Sequence, residues 1–282
     1  MLRRPGWFAF ALVFLAVAAL AWSILVEPAR LVVVERTIVV DGWDVGYLDV
    51  ALVSDLHVGA PHADVDKMRE VAAAITAAQP DLVLLLGDYD SNGIAGGEKV
   101  DPAEWAPLFG SIPAPFGVYA VLGNHDWWND TPRIRAALED GGVEVLENAA
   151  VRLRSGRHAF WLVGVGDTMT EHDRVSKAFK EVPAQATVLT MSHGPDVVDE
   201  LGDRSDLVVA GHTHGGQVYI PFVTASLLNL RWLRGLYYPG GVPLYVTSGV
   251  GTSVYPIRFG VPPEVVILHV RPTKRGAYSL QP

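Results

Sequence analysis

Residues 210–221 read AGHTHGGQVYIP and hold two imidazoles, His212 and His214, two residues apart and bracketed by glycines. Just ahead of them, 205–210 (SDLVVA) is a short apolar run with a polar start that stops at Gly211, the pattern of a buried strand leaving a sheet. Open α/β sheets gather ligands at such strand ends. Glycine on either side lets the backbone turn sharply and approach a bound group closely. A lone His-x-His says little, because histidines also sit in cores with both nitrogens satisfied. The weight therefore falls on how the other apolar runs end.

Five of them end alike. The blocks are SDLH at 54–57, GD at 87–88, GNHD at 123–126, SH at 192–193 and GHTH at 211–214, and each follows a strand-like run. Five of the nine histidines lie in these blocks; His62, His158, His172 and His269 do not and read as surface or packing residues. Asp55 and His57, two apart on what reads as an extended segment, can project to one side, as can His212 and His214. With no cysteine, any metal must be held by His, Asp, Glu and Asn, a set suited to Mn, Fe or Zn. Seven such donors exceed what one ion takes and suit two ions sharing a bridging carboxylate.

Between the blocks, strand-like and helical runs alternate. Strands are predicted over 31–40, 48–54, 81–86, 117–122, 143–145, 149–153, 159–165, 187–191, 205–210, 244–247 and 264–270. Helices are predicted over 63–78, 101–109, 131–139 and 173–181. The mixture points to an α/β domain with two packed sheets.

The clearest compositional break is at the start. Residues 7–26, WFAFALVFLAVAALAWSILV, carry no charge over 20 positions, the span a helix needs to cross a bilayer. The run predicts an uncleaved anchor over 1–30 in preference to a signal peptide cut after Ala19-Leu20-Ala21, with the catalytic domain over 31–282. Arg3 and Arg4 favour a cytoplasmic N-terminus and an extracytoplasmic domain at the cell membrane, although Arg30 and Arg36 on the far side weaken the asymmetry. A formal net charge of -9 argues against a nucleic-acid partner.

The ordered set Asp-x-His, Gly-Asp, Gly-Asn-His-Asp, His, Gly-His-x-His resembles that of the calcineurin-like metallophosphoesterases. The stretches GHTHGGQVYIP and GTSVYPIRFGVPPE (251–264) carry a closer likeness to bacterial membrane-anchored phosphoesterases, some acting on phospholipid-type or UDP-diacylglucosamine-type substrates. The resemblance implies a four-layer αββα sandwich with two mixed sheets behind one N-terminal transmembrane helix. It implies two divalent metal ions, one on Asp55, His57 and His214, the other on Asn124, His193 and His212, with Asp88 shared. His125 is then the candidate general acid. Two such cations lower the pKa of a bridging water and hold phosphoryl oxygens for in-line attack.

One departure stands out. The family commonly shows Gly-Asp-x-x-Asp, the second acid orienting the catalytic histidine, whereas GDYDS at 87–91 places its extra acid, Asp90, one position early. Asp90 reads as a turn residue, and either it or Asp126 could orient His125. Trp127 and Trp128, with Arg231, Trp232, Arg234, Leu236, Tyr237 and Tyr238, form either a rim for amphipathic substrates or the packing of a small lid.

The resulting expectation is a hydrolase of phosphate esters, most of all phosphodiesters, including lipid-linked ones. The competing readings are a pyrophosphate hydrolase of UDP-diacylglucosamine in lipid A synthesis, a nuclease, and a non-catalytic metal-binding scaffold.

Overall fold

The computed structural model describes residues 5–91, 93–155 and 158–273; Arg3 and Arg4 lie outside them. The strands are β1 (Val32–Val40), β2 (Leu48–Val53), β3 (Leu82–Leu85), β4 (Val118–Ala120), β5 (Glu144–Val145), β6 (Ala149–Ser155), β7 (His158–Val165), β8 (Val188–Ser192), β9 (Leu207–Ala210), β10 (Gly235–Tyr237), β11 (Leu244–Val246) and β12 (Glu264–Pro272). The helices are α1 (Pro5–Ala21), α2 (Val65–Ala78), α3 (Ala106–Gly110), α4 (Asn124–Trp128), α5 (Thr131–Asp140), α6 (Val175–Ala178), α7 (Val198–Leu201) and α8 (Thr224–Leu228).

Two six-stranded mixed sheets result, in the orders β1-β12-β2-β3-β4-β5 and β10-β11-β9-β8-β7-β6. In the first, β2 to β5 run parallel and β12 is antiparallel to β2. In the second, β7, β8, β9 and β11 run parallel, edged by antiparallel β6 and β10.

Strands buried on both faces read as unbroken apolar runs, and period-2 alternation sends successive residues to different layers. Leu82, Leu84 and Leu86 point between the sheets with Leu162, Leu189 and Leu207, while Val83 and Leu85 face the helices. On that outer side Met68, Val71 and Ile75 of α2, Phe109 of α3, and Ile134 and Leu138 of α5 complete one core. Behind the second sheet, Val175 of α6 and Leu201 of α7 complete another. The order is thus helix, sheet, sheet, helix, as expected.

The helix expected over 101–109 is interrupted. A single tight turn covers Pro102–Glu104, capped by Asp101, and α3 restarts only at Ala106, because Pro107 has no N–H to give to a continuous helix and is tolerated only in a first turn. The helix expected over 173–181 shrinks to α6, with burial confined to Val175, Ala178 and Phe179. At the N-terminus, a continuous apolar helical segment runs over Trp7–Ala29, almost all of it exposed.

Candidate metal centre

All five polar blocks sit at the carboxyl ends of their strands, and the parallel pairing of β2, β3 and β4 in one sheet and of β8 and β9 in the other brings these ends to one edge of the sandwich. Every residue anticipated from the blocks arrives there. Asp55, His57 and His214 place ligand atoms within reach of a single ion, as do Asp88, His193 and His212, and a third grouping joins His57, Asp88 and His125. Asp88 belongs to two of the three.

The expected extended geometry of the Asp-x-His and His-x-His pairs is corrected. Asp55, His57, Asp88, His212 and His214 all have positive φ, of 52°, 43°, 58°, 71° and 50°. Left-handed backbone is costly for residues with a Cβ, of order 1–3 kcal/mol each, and persists where surrounding structure enforces it. The chain thus turns out of each strand at once and presents side chain after side chain to the same point.

Short distances define the cluster. Asp88 Oδ2 lies 3.3 Å from His193 Nε2 and 3.7 Å from His57 Nε2. His193 Nε2 is 3.0 Å from His212 Nδ1 and 3.2 Å from Asn124 Oδ1. His57 Nε2 is 3.3 Å from His214 Nε2, which stands 3.2 Å from Asp55 Oδ1. The far nitrogens set the tautomers. His57 Nδ1 donates to the Asp90 carbonyl at 2.9 Å and His193 Nδ1 to the Leu86 carbonyl at 2.7 Å, so each ring turns its Nε2 inward.

Carboxylate, amide and imidazole groups therefore crowd one point, and the buried Asp55 Oδ1 has no hydrogen-bond donor among the described residues. Buried polar atoms require partners, and a cation would supply one to Asp55 Oδ1. Divalent cations fit the site, since the donors are imidazole, carboxylate and amide oxygen.

Ionisation reflects the same crowding. Burial disfavours charge on His193, but Asp88 outweighs it and pushes the imidazole up to about 10. Burial acts on Asp88 in the opposite sense, yet the field of His193 and its hydrogen bond hold that carboxyl well below the usual range. Burial lowers His214 to about 3.

Asp126 answers the question left by GDYDS in an unexpected way. Its carboxyl group accepts the amides of Gly123, Asp88 and Tyr89 at 2.8, 2.9 and 2.8 Å and so ties the loop of Asp88 to that of Asn124; no contact with the His125 ring is among them. Asp90 acts through its carbonyl, on His57. The His125 ring stands edge-on to His57 at 4.7 Å and against Trp128 at 5.2 Å, and its amide donates to Asp88 Oδ1 at 2.8 Å.

Two contributors were missed from sequence. Arg258, fully buried, donates to the carbonyls of Ser248, Gly249, Gly251 and Val261 and braces the loop beneath Asp55 and His57. Gly249, at φ 68°, leaves so little room that a Cβ there would stand 2.7 Å from that of Asp55. The signal was present, in a lone arginine amid apolar residues just after the glycine-rich run 249–251, but nothing local says what the arginine faces.

Part of the anticipated aromatic rim is ordinary packing. Trp232 packs edge-on against Tyr237 at 5.3 Å beside the outer core, and Arg231 covers Trp232 while pairing both nitrogens with Asp199. Trp127 stacks on His172 at 3.5 Å. His269 pairs with Asp49 at 2.9 Å and His62 bonds the Ile24 carbonyl, while the side chain of His158 is outside the described ones.

Residues 48–216 match the family of calcineurin-like phosphoesterases, and the chain belongs to it. It is a metallophosphoesterase by class, a family of hydrolases acting on phosphate esters with divalent metals. Among its relatives are the phosphodiesterase YaeI of Escherichia coli, 34% identical over 205 residues that cover 68% of this chain and 71% of that one, and the metallophosphoesterase YkoQ of Bacillus subtilis, 27% identical over 230 residues covering 77% and 82%. A solved structure, the calcineurin-like phosphoesterase YfkN of Bacillus subtilis, is 13% identical with a TM-score of 0.42, over 73% of this chain and 82% of that one.

Proposed function

We propose that the chain is a membrane-anchored phosphodiesterase with two divalent cations, one held by Asp55, His57 and His214, the other by Asn124, His193 and His212, with Asp88 shared. The observation that carries this reading is the position of Asp88, which is grouped with His193 and His212 on one side and with His57 on the other. Bound there, the cations would polarise phosphoryl oxygens and make a water acidic enough to attack at neutral pH. The neutral Asn124 adds an oxygen without negative charge, which leaves the centre more attractive to an anionic ester. His125, half-buried and edge-on to His57, holds a proton at the mouth of the cluster and delivers it to the departing oxygen. The preference for diesters over monoesters draws on the likeness to YaeI. Residues 1–30 form the anchor and 31–282 the catalytic domain, on the extracytoplasmic face.

The test is metal analysis of the purified full chain together with turnover on paired chromogenic mono- and diesters. Two cations per chain, lost in Asp88→Ala, and a diester rate that falls at least about 100-fold in His125→Ala are expected. Unchanged turnover in His125→Ala removes the acid assignment; a folded chain that takes up no cation after supplementation removes the reading as a whole.

A further inference from the structure

The end of the N-terminal helical segment is bonded into the catalytic domain. The Ser23 carbonyl accepts a hydrogen bond from the amide of Arg258 at 2.9 Å, and the Ile24 carbonyl accepts one from His62 Nε2 at 2.9 Å. The Glu27 carboxylate accepts Trp22 Nε1 at 2.7 Å and the Val261 amide at 2.7 Å. The loop so engaged is itself paired to the chain just after GHTH: Tyr219 donates to the Phe259 carbonyl at 2.7 Å and Phe259 to that of Gln217 at 2.8 Å. A run of backbone hydrogen bonds thus leads from the apolar helix, through Arg258 and Phe259, to the segment 217–219 and on to α8.

That edge is apolar and uncovered. Phe222 is 101% exposed, Leu227 79% and Tyr255 62%, and Ile220, Val223 and Leu228 are exposed beside them. A cavity of about 270 Å³ has Leu228, Val254 and Tyr255 in its lining together with His212 and His214. Arg234 lies over Tyr219 at 4.5 Å and donates to the Gly260 carbonyl at 3.2 Å, which puts a cation at the same edge. Exposed apolar side chains gathered in this way mark a contact surface. Their continuity with a helix long enough to span a bilayer selects the occupant, since residues bonded to the end of a spanning helix are carried to the lipid headgroup layer. Arginine beside aromatic rings suits that layer.

We propose that the segment 220–228, with the turn at 254–255, is a second membrane contact that dips into the bilayer surface beside the anchor, so that the cavity at His212 and His214 opens toward the headgroups. The inference rests on the reading of residues 7–29 as a membrane span, and it makes phosphodiesters presented at a lipid surface the substrates nearest the centre.

The chain has no cysteine, so single cysteines report position without further engineering. Leu15→Cys in the helix, Phe222→Cys and Leu227→Cys at the edge, and Asp203→Cys in the turn ahead of β9 are each labelled with an environment-sensitive fluorophore in the full chain. The proteins are reconstituted in phosphatidylcholine–phosphatidylglycerol vesicles, with and without lipids carrying a nitroxide on the acyl chain, and each must keep the wild-type melting temperature. Quenching by the nitroxide lipid of at least about twofold at 15, 222 and 227, and none at 203, is the expected result. Quenching at 15 alone overturns the inference and leaves the anchor standing. Absence of quenching at all four positions removes anchor and inference together, whatever the fate of the catalytic reading. Labels at 222 and 227 that are shielded from water yet unquenched by the lipid overturn the inference in favour of contact between copies of the chain.

Discussion

The carboxylate of Asp126 accepts the amide of Asp88 at 2.9 Å, so one acid sets the backbone from which the other projects. The same carboxylate takes the amides of Gly123 and Tyr89. In Asp126→Ala three buried N–H groups lose their acceptor, which costs about 3 kcal/mol or more of stability by the usual penalty for buried donors left unmet. Denaturant unfolding measures the loss, and metal content should fall with it. A variant as stable as the parent would show that the two loops hold together without this carboxylate.

Gly249→Ala tests the cradle beneath Asp55. Both the positive φ and the contact with Asp55 Cβ oppose an added methyl group. A stability loss of about 1–3 kcal/mol is expected, with a fall in turnover because Asp55 must move. Normal turnover in the folded variant would mean that the position of Asp55 is not critical.

Arg258→Met retains bulk and removes the donors that four carbonyls share. Stripping donors from buried carbonyls costs about 3 kcal/mol or more. Arg258→Lys should recover little, since a point charge cannot span the fork of acceptors. Thermal unfolding of both variants decides it, and full rescue by lysine would refute the geometric account.

Glu147 supplies a pH signature outside the ligand set. Burial, and then the charge of Asp167, push its carboxyl from 4.5 up to about 7. The folded pKa is raised, so the native chain keeps a proton that the unfolded chain sheds. Stability therefore falls as pH rises from about 4.5 to about 7 and levels off above, by at most about 3 kcal/mol. Urea unfolding of chelator-treated protein at pH 5 and pH 8 should show this slope, flattened in Glu147→Gln. An equal slope in the two proteins would count against it.

Removing bound cations should lower the melting temperature reversibly. Restoring a cation at 100 times its dissociation constant returns about 2.7 kcal/mol per site, provided that the unfolded chain does not bind it. Calorimetry with and without chelator reads this directly, and no change in either direction would contradict a built metal centre.

Much of the site was legible because its signals are local. Asp55, His57, Asp88, Asn124, His193, His212 and His214 each stand at the end of an apolar run, and a buried strand must end where its side chains turn polar. The part played by Asp126 was not legible. Nothing in GNHD tells an acid facing an imidazole from one capping three amides, and one of those amides belongs to Tyr89, 37 residues away. The aromatic residues stayed open for a related reason: Trp232 and Tyr237 are side chains that serve equally as packing or as surface, and only their neighbours decide.

The alternation of strands and helices, the apolar helix at the start and the candidate donors could all be read from the sequence, because periodicity and residue chemistry act over a few neighbours. Sequence did not show that Asp88 lies beside both His57 and His193, that Arg258 braces the loop beneath Asp55, or that the apolar helix is bonded beside the cavity. Each of these is a pairing between segments far apart in the chain, set by how two sheets close on one core, and no local pattern encodes which strand end will meet which.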